Sequence, residues 1–415
     1  MSFEEMTTLS MVATKDKEHG NTNLIPQSGS QPLLKSAAIY GANGAGKSNL
    51  IKALTFMRSF IINSGVHSMR SPIPNHSFRL NTQSAEKPSF FEIVFLHENK
   101  RFRYGFEIGK NEIVTEWLFS TPKTKEVMLF TRENNKITVG ASFKEARSFE
   151  GALKDDYRHR LFLILVSTAN EDKVTADYVL EWFHYELTVT YGSALLHNLE
   201  MTLHYLEEHP EDHYQEKFAE LFRKLDIFEK FELDPTETFS LTSYRSIEDE
   251  AARLFDSHDH PRIVVHRKKY DGDKYSGHQK FDLIRDESDG TKKLFAFVGA
   301  VMVTLETGGV LVVDELELRL HPLITRTIIE LFNSANNRKA QLIFTSHDTN
   351  LLSNRFFRRD QIWFVEKNKR GASSLYSLVE YKPRKDATFH KDYILGKYGA
   401  IPFIGNIDTL LGQDE

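Results

Sequence analysis

The pattern of apolar and polar positions near the start of the chain predicts a strand, a loop and a helix. Residues 36–40 form a short, mostly apolar run that leads into a glycine-rich segment. Beyond this segment apolar residues recur at helical spacing, at Leu50, Leu54, Met57 and Ile61. The glycine-rich segment is therefore expected to connect the end of a strand to the start of a helix.

A second pattern, with a period of two residues, follows between Phe90 and Phe119. Aromatic or aliphatic residues alternate there with polar ones, and His97–Lys100 interrupts the alternation. This arrangement predicts an antiparallel hairpin with its turn at His97–Lys100 and a further strand behind it.

Strands and helices alternate in the second half of the chain. The pattern predicts a helix over about 291–305, a strand at 310–313, a helix over 323–333 and a strand at 341–345. Such alternation indicates an α/β fold with a largely parallel sheet that is covered by helices, beside the antiparallel hairpin.

The intervening region, 151–262, is predicted to be a mainly helical insertion. Charged residues interleave throughout it, and an amphipathic helix is marked by Tyr214, Phe218, Leu221, Phe222 and Leu225. We therefore divide the chain into a first lobe (1–150), the insertion (151–262), a second lobe (263–382) and a less regular tail (383–415).

Composition narrows the functional classes. The chain has 415 residues, of which 40% are hydrophobic and 27% charged, as in ordinary globular proteins. It contains no cysteine, which excludes disulfides, iron–sulfur clusters and thiolate zinc sites and fits a reducing cytoplasm. No secretory signal is recognisable, and the longest near-apolar stretch, 294–305, is far shorter than the roughly 20 residues that span a bilayer. We expect a cytoplasmic protein without membrane spans.

The net charge of −5 argues against a uniformly basic nucleic-acid binder. Two local basic clusters, 267–269 and 358–359, are candidates for phosphate contacts or are simply solvated surface charge.

Residues Gly41–Ser48 match the phosphate-binding pattern G-x-x-x-x-G-K-[ST], at the predicted junction of strand and helix. In this motif main-chain amides surround the β-phosphate, Lys47 reaches the β- and γ-phosphates, and the Ser48 hydroxyl binds Mg²⁺. The alternative interpretation is a glycine-rich turn with an exposed lysine. The candidate nucleotide-binding residues of this segment are Asn43, Gly44, Ala45, Gly46, Lys47, Ser48 and Asn49.

Two adjacent acids, Asp314 and Glu315, follow the apolar strand at 310–313. Ligands of α/β sheets bind at the carboxyl ends of the strands, so Asp314 is a candidate to hold Mg²⁺ and Glu315 to polarise the attacking water. The alternative is a strand that ends in two solvated carboxylates.

A histidine, His347, follows the strand at 341–345 and is a candidate to contact the γ-phosphate or to orient the water. A structural role is the alternative. For His321, which precedes the helix at 323–333, packing or helix initiation explains the residue equally well.

The segment 287–293 precedes the helix at 291–305, where ABC-type ATPases carry their signature motif. Ser288 and Gly290 are candidates to face a nucleotide bound to a second subunit. A plain helix cap with a glycine turn is the alternative. Gln83 is a weak candidate for the glutamine loop.

Five segments together carry a family resemblance: IYGANGAGKSNLIKAL, ESDGTKKLF, GGVLVVDELELRLHP, LIFTSHDTNLL and KYGAIPFI. They resemble the bacterial RloA/AbiLi-like AAA-type ATPases of the ABC, SMC and OLD group, with the AriA subunit of PARIS and the PtuA subunit of Septu as cousins. The resemblance covers nearly the whole chain and matches the helical insertion least.

The resemblance implies a Mg²⁺-dependent ATPase that forms a head-to-tail dimer, or a higher oligomer of dimers. It also implies a role in anti-phage defence of the abortive-infection type, together with a separately encoded toxic effector such as a nuclease. OLD proteins carry a nuclease domain after the ATPase, whereas only 68 residues follow His347 here. Such proteins usually open with a strand ending in an N-F-x-S-F-like segment, whereas this chain starts at Met1–Glu5, as if it joined that segment at its last two residues. A start codon further upstream would account for this difference.

Other functions remain open at this point. The first alternative is an SMC-like DNA-repair or DNA-end-binding ATPase, although the insertion is too short for long SMC arms. The second is a nucleotide-binding subunit of a transporter, against which the insertion and the unusual signature argue. A metal site at His204, His209 and His213 is disfavoured because Pro210 interrupts any helix between them.

Overall fold

The structure is a computed structural model that describes residues 2–27, 31–64, 73, 77–153, 157–191, 195–240, 259–318, 320–384 and 387–402. The chain forms two compact units. The first comprises Met1–Ser10, Ile39–Val189 and Arg359–Glu415, and the second comprises Met11–Ala38 and Thr190–Arg358. The four-part division made from the sequence stays a prediction.

The first unit contains an antiparallel sheet of six strands that are neighbours in chain order. In chain order the strands and helices of this unit are β3 (Ser36–Tyr40), α1 (Lys47–Asn63), β4 (Ser89–His97), β5 (Lys100–Ile108), β6 (Ile113–Thr121), β7 (Val127–Glu133), β8 (Lys136–Val139), β9 (Gly151–Ala152), α2 (Phe162–Ala169), α3 (Thr175–Glu181), β10 (Leu187–Tyr191), β16 (Ile362–Lys367), β17 (Ser373–Ser377) and α8 (Phe389–Ile394). Strand β3 begins in the second unit, and strand β10 ends in it.

The predicted hairpin is confirmed by β4 and β5, which pair in register from Ser89↔Ile108 to His97↔Lys100. Glu98 and Asn99 form its turn, and both have positive φ angles, of 47° and 61°. Two-residue turns of this kind match the twist of the paired strands. The strand predicted behind the hairpin is β6, which pairs with β5.

Helix α1 packs against this antiparallel sheet through phenylalanines. The Phe56 ring lies 5.1 Å from that of Phe91, and the Phe60 ring lies 5.4 Å from that of Phe106. At the polar side of the helix, Arg58 donates to the carbonyl oxygens of Phe183 (2.9 Å) and His184 (3.1 Å). Burial lowers the pKa of Arg58 to about 10. These contacts fix the helix that follows the glycine-rich loop.

Within its described residues, the second unit contains a parallel strand pair, a short antiparallel strand pair, an antiparallel sheet of three strands and four long helices. In chain order its elements are β1 (Leu24–Ile25), β2 (Leu33–Leu34), α4 (Leu195–Glu208), α5 (Asp212–Lys224), β11 (Lys230–Phe239), β12 (His260–Asp271), β13 (Lys274–Asp282), α6 (Asp289–Thr307), β14 (Val310–Asp314), α7 (Pro322–Phe332) and β15 (Gln341–Thr345).

Strands β14 and β15 are parallel, with the register Val310↔Gln341 to Val313↔Phe344. Their central residues are buried, because parallel strands in such folds are covered on both faces. The start of β15 is also tied to the segment before β3, since the Leu342 amide donates to the Lys35 carbonyl oxygen (2.9 Å). The carboxyl ends of β14 and β15 therefore lie side by side.

Helices α4, α5 and α6 pack with β11 and β12 around one apolar core. The Phe222 and Phe295 rings stack at 5.0 Å in this core. Gly299 allows α4 and α6 to approach closely, because a Cβ at this position would lie 2.2 Å from the Thr202 Oγ1. This packing anchors α6, which leads directly into β14.

The α/β class with an antiparallel hairpin subdomain, predicted from the sequence, is confirmed. The helices predicted over 291–305 and 323–333 are α6 and α7, and the strands predicted at 36–40 and 341–345 are β3 and β15. Within the described ranges, no helix has both the length and the apolar character that a membrane span requires.

Candidate nucleotide-binding site

The glycine-rich loop lies where the sequence places it, between the fully buried strand β3 and helix α1. Gly46 has a φ of +118°, and a Cβ there would lie 2.6 Å from the Ser373 Oγ. At Gly41 a Cβ would lie 2.4 Å from the Val365 carbonyl oxygen. Neither position therefore has room for a side chain. The left-handed backbone at Gly46 also favours glycine. The loop is shaped by its main chain.

Lys47 begins α1 and is only 5% exposed. Its Nζ donates hydrogen bonds to the carbonyl oxygens of Gly41 (2.7 Å) and Ala42 (3.2 Å). The ammonium group is therefore held over its own loop, which contradicts the alternative of an exposed lysine on a turn. Ser48 is partly buried in the same helical turn.

Two serines outside the motif support the loop. The Ser373 hydroxyl donates to the Ala45 carbonyl oxygen (2.5 Å). The Asn49 side-chain amide donates to the Ser2 Oγ (2.5 Å), and the Ser373 amide donates to the Ser2 carbonyl oxygen (2.8 Å). Asn49, a candidate nucleotide-binding residue, thus has a structural partner, while Asn43 and Gly44 are exposed.

The loop fits a bound phosphate by its chemistry. It precedes the amino end of a helix of 17 residues, and the first turn of that helix contains no acidic residue. Gly46 at the cap has no side chain that would compete for the first amides. A helix start of this kind, with a buried lysine beside it, suits an anion.

The acid pair lies at the carboxyl end of β14 in the second unit. Asp314 is 7% exposed, and its Oδ1 accepts a hydrogen bond from the Thr345 hydroxyl at 2.6 Å. The Glu315 amide donates to the same hydroxyl oxygen at 2.7 Å. Thr345 ends the neighbouring strand β15, so its side chain connects the two strand ends at the acids.

Glu315 has a φ of +55°, which is left-handed backbone. This conformation costs a residue with a Cβ about 1–2 kcal/mol, and such strain often accompanies functional sites. The following turn is closed by hydrogen bonds from Leu316 N to Thr345 O (3.1 Å) and from Leu318 N to Glu315 O (2.9 Å). The backbone therefore turns away from β14 directly after Asp314.

His347 is exposed and follows β15 by two residues. Its main-chain amide donates to the Glu317 Oε1 at 2.5 Å. Because Glu317 belongs to the turn after β14, this bond is a further link between the two strand ends. The acid turn and the histidine loop are thus held together by side chains from both strands.

The candidate signature residues lie at the start of α6. Ser288 is the N-cap, and its Oγ accepts a hydrogen bond from the Thr291 amide (3.2 Å). Gly290 lies in the first turn, and both residues are exposed. The helix-cap interpretation of Ser288 is thereby confirmed. A role toward a second nucleotide stays a prediction.

His321 initiates a helix, since its Nδ1 accepts from the Leu323 amide (3.2 Å) at the N-cap of α7. This confirms helix initiation as one of the two explanations for the residue. Gln83 is exposed in a turn of the first unit, where its main-chain amide donates to the Asn81 Oδ1 (3.0 Å).

Both basic clusters carry internal partners. Arg267 forms a bidentate ion pair with Glu287 (2.6 and 2.7 Å), and Lys268 forms an ion pair with Glu229 (2.6 Å). Arg358 is fully buried, and its guanidinium donates to main-chain carbonyl oxygens, among them that of Asp16 (2.9 Å). These contacts support structural roles over phosphate contacts.

Four residues that support the candidate site were not predicted from the sequence: Ser2, Glu317, Thr345 and Ser373. Thr345 and Glu317 lie within a few residues of predicted site positions, so a search for polar residues at adjacent strand ends would have found them. Ser2 and Ser373 are distant from the loop in sequence and carry no such signal. The structure thus groups the predicted residues as a loop in the first unit and an acid–histidine set in the second.

Comparisons with known proteins place the chain in a family. Residues 36–353 match the sequence profile of the family described as "AAA domain, putative AbiEii toxin, Type IV TA system". A search of curated protein sequences gives no match.

Among solved structures, similarity is found to an SMC head bound to the C-winged helix domain of ScpA, with 13% identity over 85% of this chain and 94% of the other and a TM-score of 0.35. An SMC head domain from Thermotoga maritima has 14% identity over 85% and 97% of the two chains and a TM-score of 0.33. An SMC head of Pyrococcus furiosus with an extended coiled coil, bound to the C-terminal domain of ScpA, has 13% identity over 89% and 94% and a TM-score of 0.33. Because the profile match spans more than half of the sequence, the chain belongs to the family of AAA domains described as putative AbiEii toxins of type IV toxin–antitoxin systems.

Proposed function

We propose that this protein binds ATP with Mg²⁺ and hydrolyses it to ADP and phosphate. The observation that carries the proposal is the loop of residues 41–46 between a buried strand and a helix start, with the Lys47 ammonium held over it. In the proposed site, Lys47 and the main chain of the loop bind the phosphates. Bound Mg²⁺ would supply charge neutralisation of the phosphates, and Ser48 and Asp314 offer the hard oxygen ligands that it prefers.

The acid set performs the second part of the proposed reaction. Glu315 accepts the proton of the attacking water, and His347 orients the water or contacts the terminal phosphate. The bonds of Thr345 and Glu317 support this assignment, because they hold the acid turn and the histidine loop in a defined arrangement.

For the biological role, we propose an ATP-controlled subunit of an anti-phage defence complex. The family description names a toxin of a type IV system, which supports a role in abortive infection. We further propose a head-to-tail dimer, in which Ser288 and Gly290 face the nucleotide of the other copy, and a separate effector, such as a nuclease, that delivers the toxic step.

Co-purification of this chain with the product of a neighbouring gene tests this role. An associated nuclease whose activity depends on ATP supports it. Recovery of free dimers whose hydrolysis is stimulated by DNA ends would contradict it and favour a DNA-repair ATPase.

The variant Glu315→Gln tests the reaction itself. Because the amide cannot accept the proton, hydrolysis should fall by about 10²–10⁴-fold while ATP binding persists. Phosphate release measures the first quantity and equilibrium binding of labelled ATP the second. The trapped nucleotide should also shift the protein toward dimers in light scattering.

Glu330→Gln is the matched control, since Glu330 is an exposed acid on α7 of the same unit. It should leave hydrolysis, binding and oligomeric state unchanged. Wild-type rates of phosphate release in Glu315→Gln would remove Glu315 from the proposed role.

A further inference from the structure

The Thr345 side chain lies between the two acids of the proposed site. It is fully buried at the end of β15 and contacts both the Asp314 carboxylate and the Glu315 amide. We propose that Thr345 is a positioning residue, which sets the orientation of the Asp314 carboxylate for the cation and the backbone of Glu315 for the base. This inference rests on the proposed function of the site.

The hydrogen-bond chemistry gives each contact a single direction. A main-chain amide can only donate, so the Thr345 oxygen must accept from Glu315 N (2.7 Å). The hydroxyl has one proton, and the Asp314 Oδ1 at 2.6 Å is the acceptor for it. The Thr345 hydroxyl therefore donates to the Asp314 carboxylate and accepts from the Glu315 main-chain amide at the same time.

The consequence for Asp314 is a fixed carboxylate. A hydrogen bond from a buried hydroxyl to a charged oxygen is short and directional, so it restricts rotation of the carboxylate. With Oδ1 occupied by Thr345, the carboxylate has a defined orientation in which Oδ2 remains to face a cation or its water shell. Metal ligands are commonly oriented by such neighbouring hydrogen bonds.

The consequence for Glu315 concerns its backbone. The residue has left-handed φ, which a glutamate adopts only when its surroundings compensate for the cost. The bond from its amide to Thr345 acts at the point where the chain turns away from β14. Loss of the hydroxyl would leave this partly buried amide without its acceptor and loosen the turn that carries the base.

The test compares Thr345→Val with Thr345→Ser. Valine matches the shape of threonine and favours strands, but it lacks the hydroxyl, whereas serine keeps it. ATP affinity is measured by equilibrium binding, once with excess Mg²⁺ and once with EDTA. The gain in affinity from Mg²⁺ is the readout, because a purely structural role would lower both affinities together.

Thr345→Val should lose about tenfold or more of the Mg²⁺-dependent gain, the effect expected for a hydrogen bond to a charged group. Its affinity in EDTA should stay at the wild-type value, and Thr345→Ser should retain most of the gain. Thr325→Val is the matched control. Thr325 is also fully buried, and its hydroxyl has no hydrogen-bond partner within the described part of the chain.

Two outcomes would overturn the inference. In the first, Thr345→Val keeps the full Mg²⁺-dependent gain. In the second, both affinities and the thermal midpoint fall in parallel, which assigns the hydroxyl to stability alone. If wild-type protein binds no ATP under either condition, the proposed function itself fails and the inference falls with it, which distinguishes that failure from the other two.

Discussion

The proposed phosphate-binding loop and the acid turn are built by opposite means. The loop in the first unit is defined by positions where side chains are excluded, at Gly41 and Gly46, and by main-chain carbonyls that hold Lys47. The acid turn in the second unit is defined by side chains, because Thr345 and Glu317 connect the ends of β14 and β15. A loop that is shaped by its main chain depends on a few glycines, which a sequence motif contains. A turn that is held by side chains depends on residues outside the recognised motifs.

This difference explains how much the sequence alone could reveal. Glycines and a lysine at fixed spacing directly specify a loop geometry, so the loop, its strand and its helix were all predicted within a contiguous segment.

The largest expected effect comes from removing the charge of the loop. Lys47→Ala should weaken ATP binding by about a hundredfold or more, because a buried charged contact to phosphate is lost. Equilibrium binding measures the loss, and circular dichroism shows whether the fold persists. Lys52→Ala, an exposed lysine on the same helix, is the control and should bind like the wild type. Equal affinities for the two variants would refute the role of Lys47.

A smaller effect distinguishes steric exclusion from backbone conformation in the same loop. Gly46→Ala should destabilise the protein by about 1–3 kcal/mol, because the residue has left-handed φ and its Cβ would clash with Ser373. Gly44 also has left-handed φ, but a Cβ in Gly44→Ala would have no atom of the described residues within 4 Å. This substitution should cost only about 1 kcal/mol. Thermal or denaturant unfolding measures both, and equal losses would show that the contact with Ser373 is unimportant.

The acid turn was only partly predictable. Asp314, Glu315 and His347 lie at or just after the ends of apolar strands, which is why the sequence predicts them as candidate site residues. In the sequence, Thr345 is indistinguishable from an ordinary strand residue, because β-branched residues favour strands. Its hydrogen bonds to Asp314 and Glu315 depend on the register of β14 against β15. That register is a tertiary property that one sequence does not specify.

The start of α6 illustrates a different limit. Ser288 was assigned either to a nucleotide or to a helix cap, and the structure shows the cap. A cap does not exclude contact with a second subunit, because the residue is exposed. A local hydrogen bond can be recognised from the sequence, whereas a role that requires another copy of the chain cannot be decided from one chain.

Binding of ATP together with Mg²⁺, with Asp314 as a ligand of the cation, is the core of the proposed function. The most direct test is the Mg²⁺-dependent gain in ATP affinity of Asp314→Asn, measured by equilibrium binding with Mg²⁺ and with EDTA. The variant keeps the size of the side chain and removes its charge. About tenfold loss of the gain is expected, with unchanged affinity in EDTA, where the loop alone binds. A gain equal to that of the wild type would contradict the proposed role of Asp314 in binding Mg²⁺ with the nucleotide.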